Sequence, residues 1–179
     1  MSVSNPTPLL EGRRSFPWIA SAFVLLAITA ISLPSRLVLV VRNETKEAIL
    51  LRMNVGAGFE FATKIRHSVQ LTPVYEYYRV EADGRLTVTG TKLQDLGWGM
   101  PSTEDTHVVF KDGFMYFEGG RRKLEVLRFR VSRMNDAELL IDGRHIELNS
   151  CTGDGDLLVF AVLRESFIPS LLKGEYDAF

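Results

Sequence analysis

Three of the four Asp-Gly dipeptides, those at 83–84, 112–113 and 142–143, each lie between two runs of alternating apolar and polar residues. An Asp-Gly pair tolerates the positive backbone angles of a tight hairpin turn, whose twist matches that of the strands it joins. A chain that places such turns 29 and 30 residues apart commits most of its length to antiparallel hairpins. The sequences between the turns do not match one another, so the even spacing reads as hairpin topology and not as a sequence repeat.

The flanking segments carry the period of two that strands require. Phe59, Phe61, Thr63, Ile65 and His67 share one face of a strand, with Glu60, Ala62, Lys64 and Arg66 on the other. After a proline break, Val74, Glu76, Tyr78 and Val80 share a face, and Leu86 to Lys92 returns beyond Asp83-Gly84. Segments 107–111 and 114–118, then 138–141 and 144–148, flank the other two turns. Leu124 to Ser132 and Asp156 to Arg164 complete the later strands. The apolar runs Leu37–Val41 and Ala48–Met53 read either as interior strands or as an extension of the segment before them. The pattern predicts an all-β domain, an antiparallel sandwich or barrel of about nine or ten short strands without a convincing internal helix.

Ahead of that domain, residues 16–34 include FPWIASAFVLLAITAISL, 18 residues without a charge. As a helix they would span roughly 27 Å, enough for a bilayer core. We read 16–34 as one N-terminal transmembrane anchor. A cleaved signal peptide is the competing reading, with Arg13-Arg14 as its charged start and Ala30-Ile31-Ser32 as a weak cleavage site. Residues 1–15 are read as a disordered tail, 37–164 as the β-domain and 165–179 as a C-terminal tail. The basic residues flanking the span, Arg13 and Arg14 before it and Arg36, Arg42 and Lys46 after it, do not decide orientation. An apolar N-terminal segment before a domain favours export, which places the N-terminus in the cytoplasm and the β-domain outside, at the cell membrane.

Net charge is -1, so no basic field points to nucleic acid. The single cysteine, Cys151, permits no intramolecular disulfide, and it reads as a small loop residue or, alternatively, a reactive thiol. His67, His107 and His145 lack the spacing of metal ligands. Residues 152–156, TGDGD, fail the calcium-loop pattern and read as a turn. We expect no metal and no cofactor. Arg121, Arg122 and Lys123 follow two glycines and read as a basic turn.

The stretch IRHSVQLTPVYEYYRV, residues 65–80, concentrates the remaining chemistry. Adjacent strand residues point to opposite faces, so His67 does not easily activate Ser68, and no nucleophile-elbow motif occurs. No catalytic residue is assigned. His67 and Glu76 are instead expected to pair across a hairpin, as a structural pair, as part of a ligand pocket, or in catalysis. The connection from Leu93 to Thr106 is long for a compact domain, a feature that often accompanies function, and its Gly97-Trp98-Gly99 bends the backbone around a large side chain.

His67-Ser68-Val69, then Thr72-Pro73-Val74-x-Glu76-x-Tyr78, then Asp83-Gly84-x-Leu86, then Gly97-x-Gly99-Met100-Pro101 resemble the bacterial and archaeal family known as domain of unknown function 1850. The resemblance covers roughly Asn54 to Leu163, and Trp98 stands where many members carry a small residue. It implies a short apolar N-terminal segment, a β-rich body and no assigned activity. Members are often encoded beside TRAP transporters that use a TAXI-type solute receptor, which implies an accessory role at the membrane with the permease or the receptor as partner. The expected ligand or partner patch is His67, Ser68, Thr72, Pro73, Glu76, Tyr78, Gly97, Trp98, Gly99 and Pro101. The first expectation is a non-enzymatic, membrane-anchored extracytoplasmic accessory protein of such a transporter. A small-ligand-binding β-barrel at the membrane surface is the alternative, and a hydrolase a distant one. A filled interior with an exposed apolar patch would favour a protein partner, and a concave pocket joining His67, Glu76 and Trp98 a ligand.

Overall fold

The computed structural model describes residue 21 and residues 36–96 and 107–165. The chain divides into two units, Met1–Pro34 and Ser35–Phe179, and the description concerns the second. Eleven strands follow one another: β1 (Arg36–Asn43), β2 (Ala48–Val55), β3 (Glu60–Arg66), β4 (Pro73–Val80), β5 (Leu86–Leu93), β6 (His107–Lys111), β7 (Phe114–Leu124), β8 (Val126–Arg130), β9 (Glu138–Ile141), β10 (Arg144–Glu147) and β11 (Leu157–Glu165). A one-turn helix, α1 (Leu148–Cys151), separates β10 from β11. The domain is all-β, as the hairpin signals predict. The count exceeds nine or ten because both early apolar runs, 37–41 and 48–53, are strands.

The strands pair antiparallel in two sheets, ordered β2-β1-β11-β8 and β10-β9-β3-β4-β5-β7-β6. The Asp-Gly turns do what their chemistry allows. Asp112 and Gly113 have φ of 52° and 76°, and Asp142 and Gly143 have φ of 50° and 71°, the paired positive angles of a two-residue hairpin. Asp83-Gly84 differs. Only Gly84 is left-handed, and a longer loop is closed by Glu81 N donating to Arg85 O and Gly84 N donating to Glu81 O.

The core lies between the sheets. Leu39, Val41, Leu158 and Phe160 come from the four-stranded sheet, and Phe61, Tyr78, Val80, Leu86, Leu139 and Ile141 from the seven-stranded one. Phe61 joins the two, its ring centroid 6.0 Å from Phe160 and 5.1 Å from Tyr78. A smaller cluster of Val74, Leu93 and Phe117 occupies the seven-stranded sheet alone.

Two expectations need correction. The basic run Arg121–Lys123 is not a turn. β7 continues through it, with Val88 opposite Arg122 and Thr87 opposite Lys123. The glycines that suggested a chain reversal accommodate an irregularity instead. Gly119 has φ of 85°, and a Cβ on Gly120 would lie 2.7 Å from the Val88 carbonyl oxygen, so only glycine lets the strand pass that close. The second correction, the His67–Glu76 pair, belongs with the site below. The expected transmembrane segment at 16–34, apart from Ser21, and most of the 165–179 tail lie outside the described residues. Among those residues, no helix is long and apolar enough to cross a membrane.

TGDGD is a turn, with Gly155 at φ of 83°, and its last residue has a role the sequence did not signal. Asp156 is buried and its Oδ2 accepts hydrogen bonds from Asn43 Nδ2 and Gly153 N, both at 2.7 Å, with Lys46 Nζ at 3.2 Å. These contacts, the Gly153 backbone first and Asn43 next, hold its pKa below the ordinary carboxylate value. A depressed carboxylate stabilises the fold above its unfolded pKa and loses that contribution as pH falls through the folded value. Asp156→Asn is therefore expected to lower the thermal midpoint at neutral pH. It should also flatten the loss of stability below about pH 4, the ordinary range of an aspartate. Equal acid sensitivity in both proteins would refute this role.

Candidate functional site

The β3–β4 hairpin carries most of the candidate residues. In its register Arg66 faces Pro73, Ile65 faces Val74 and Thr63 faces Glu76. The connecting turn runs through residues 67–72. Its ends are tied by His67 N donating to Thr72 O at 2.8 Å and Leu71 N donating to His67 O at 2.9 Å. The imidazole folds over its own turn: Nδ1 accepts from the backbone N–H groups of Val69, at 3.2 Å, and Gln70, at 3.1 Å. His67 is buried. It therefore satisfies two backbone donors that a tight turn leaves without strand partners.

The expected pairing of His67 with Glu76 is not formed. Glu76 sits opposite Thr63, four residues before His67, which separates the two by roughly 13 Å along the strand. The alternation correctly put both on the inward row, but the turn keeps His67 at the tip. Glu76 Oε2 accepts instead from Tyr78 Oη at 2.7 Å, and Glu76 Oε1 lies 3.4 Å from Arg122 Nη2. Thr63 and Thr91, both buried, flank Glu76 on the neighbouring strands. Burial, then the adjacent Glu76 charge, pushes the Tyr78 hydroxyl far above its ordinary pKa, so it stays a donor to the carboxylate. This polar belt divides the main core from the smaller Val74 cluster. A half-buried carboxylate on the inward row needs partners, and the partners are a tyrosine two residues away and an arginine from the misread basic run.

Ser68 is exposed while His67 is buried, consistent with their opposite orientations. Thr72 and Pro73 are half-buried at the base of the turn. Gly97, Trp98, Gly99 and Pro101 lie outside the described residues. Cys151 donates to the backbone carbonyls of Glu147 and Leu148, and desolvation holds its thiol above the ordinary pKa. That environment suits a small structural residue better than a reactive thiolate. Among the described residues, no group of three His, Cys, Asp or Glu side chains is placed to hold a metal ion.

Two surface features were not legible beforehand. The first is the apolar tip of the hairpin: Val69 is 78% exposed and Leu71 59%, with Leu71 held at φ of 58°. The second is a cleft of about 560 Å³ beside the same hairpin, on the outer face of the seven-stranded sheet. Lys64 and Glu138 pair across β3 and β9 inside it. Their hydrogen bond, the leading cause for each, raises the Lys64 pKa and lowers that of Glu138. Strand alternation does assign Lys64 to the outward row. Only the β3–β9 pairing, a contact 74 residues apart in sequence, brings Glu138 to it.

No curated protein and no solved structure matches the chain. The model of one family, described as Domain of unknown function (DUF1850), matches residues 61–148. That segment runs from the start of the signature hairpin through β10 and includes the turn, the polar belt and most of the cleft. Over that segment, the chain matches the DUF1850 family.

Proposed function

We propose that this protein is a non-enzymatic accessory module, anchored in the membrane with its β-domain on the extracytoplasmic side. It docks on the solute receptor or permease of a TRAP-type (TAXI) transporter through the tip of the β3–β4 hairpin. One observation carries the reading: the exposed pair Val69 and Leu71 on a turn organised by the buried His67. A non-glycine residue in the left-handed region costs about 1 kcal/mol or more, and two exposed aliphatic side chains gain nothing from the fold. Stability alone does not call for such a turn, whereas a protein partner that buries Val69 and Leu71 does. The transporter as partner comes from the resemblance of the signature blocks, and the anchor from the apolar segment at 16–34. Tethering raises the effective concentration of the domain beside a membrane partner.

Crosslinking of the full-length protein in intact membranes, followed by mass spectrometry of what is captured, tests this. Val69→Asp keeps the backbone N–H that His67 accepts and places a charge on the docking tip. We expect it to reduce capture of a transporter component at least tenfold, a difference of about 1.4 kcal/mol, with an unchanged thermal midpoint. The proposal fails if the wild-type protein captures no transporter component, or if Val69→Asp captures as much. The alternative reading, a small-ligand domain at the membrane surface, is favoured by one specific observation, the cleft beside the hairpin.

A further inference from the structure

The cleft has a charge arrangement that the fold does not explain. Lys64 and Arg66 line it against Asp136, Glu138 and Glu147, two cations against three carboxylates. Lys64 pairs with Glu138 and Arg66 with Asp136. Among the described residues Glu147 has no ion-pair partner, and it stands directly opposite Glu138 in the β9–β10 ladder. Like charges facing each other across a strand pair are destabilising. Lys64, and His145 Nδ1 at 3.3 Å, offset the Glu138 charge; the Glu147 charge has no such offset. The excess negative charge is thus located at one residue on the cleft wall.

The rest of the lining, at the other end of the same row of residues, is apolar and aromatic. Tyr75 faces Lys64 across β3–β4 and, with Pro73 and Leu71, lines the cleft. An aromatic face attracts a cation, and the Tyr75 ring already does so with Lys92 of the next strand. There Lys92 Nζ lies 5.0 Å from the Tyr75 centroid, 4.1 Å from Phe114 and 5.3 Å from Tyr116. A carboxylate without a partner, an aromatic wall and an aliphatic lip in one concavity match the parts of an organic amine: an ammonium head and a hydrocarbon body.

We propose that this cleft binds a small organic cation, its ammonium group on Glu147 and its carbon chain against Tyr75, Pro73 and Leu71. The bound cation neutralises the like-charge pair of Glu147 and Glu138. The site goes beyond the docking role and does not depend on it, because the cleft lies in the β-domain alone and needs no transporter.

Isothermal titration calorimetry on the full-length protein in detergent tests the site, with putrescine and choline as cationic probes, succinate as an anionic one and calcium chloride as a bare cation. Saturable binding of putrescine or choline is expected. Glu147→Gln, an exposed and nearly isosteric change, should weaken it at least tenfold, and Tyr75→Ala, which removes the apolar wall under the carbon chain, about three- to tenfold. Circular dichroism checks that both variants remain folded. Silence of both amines up to about 10 mM, a level that corresponds to less than roughly 3 kcal/mol of binding, overturns the proposal. So does amine binding unaffected by Glu147→Gln, or saturation by succinate or calcium in place of the amines. Because the docking test varies Val69 in membranes and this one varies Glu147 in detergent, either can fail without the other.

Discussion

Phe160→Ala is expected to destabilise the β-domain by about 3–5 kcal/mol, the range for removing a buried phenylalanine. Phe160 is 0% exposed and projects from β11 in the four-stranded sheet, where it faces Leu127 of β8 and Val41 of β1 across the ladders. Its ring lies parallel to that of Phe61, at 5°, and Phe61 in turn stacks on Tyr78. This file of three rings runs through the core between the two sheets, so the cavity left by alanine lies where neither sheet can collapse into it without moving as a whole. For a domain of this size the loss corresponds to a fall in thermal midpoint of roughly 10 °C or more. Phe160→Leu, which keeps most of the volume, should cost less than half as much. A loss under about 1 kcal/mol for Phe160→Ala would mean that the sheets hold together without the ring file. Thermal or urea unfolding followed by circular dichroism measures both.

The architecture was readable because its strongest signals are local. Asp112-Gly113 and Asp142-Gly143 need positive φ at both positions, and a dipeptide carries that requirement wherever it occurs. The alternation from Phe59 to His67 likewise assigns inward and outward rows without knowledge of any partner strand. What the sequence withheld depends on contacts between distant segments. Asp156 meets Asn43 across 113 positions, Glu138 meets Lys64 across 74, and Arg122 meets Glu76 across 46. None of these pairs has a spacing that a local pattern can reveal. The misread run at 121–123 shows the same limit from the other side. Two glycines ordinarily announce a turn, and only the close approach of β5 shows that here they keep a strand continuous. The candidate site was half legible for this reason. The signature residues were recognisable by their order, but whether His67 reaches Glu76 depends on how many residues the turn consumes. A six-residue turn beginning at His67 leaves the imidazole at the tip.

That geometry makes a second prediction, on the residues the sequence first paired. His67→Ala removes the acceptor for the N–H groups of Val69 and Gln70, and each donor left unsatisfied in a partly buried turn costs about 1 kcal/mol or more. Glu76→Ala removes a charged acceptor from Tyr78, whose hydroxyl is buried. That loss is about 1–2 kcal/mol. The accompanying loss of Arg122 adds little, because that side chain is 60% exposed and surface pairs contribute well under about 1 kcal/mol. The double variant should therefore lose about 3–4 kcal/mol. Its two halves lie roughly 13 Å apart along the strand direction, so their effects should add to within about 0.5 kcal/mol. By contrast, Glu76→Ala combined with Tyr78→Phe should fall short of additivity, because either change alone already breaks the bond they share. A coupling above about 1 kcal/mol between His67 and Glu76 would restore the cross-hairpin pair and overturn the assignment of His67 to the turn. Additivity there, with coupling between Glu76 and Tyr78, would divide the signature into two parts: a histidine that shapes the exposed tip, and a carboxylate–tyrosine belt that closes the core behind it.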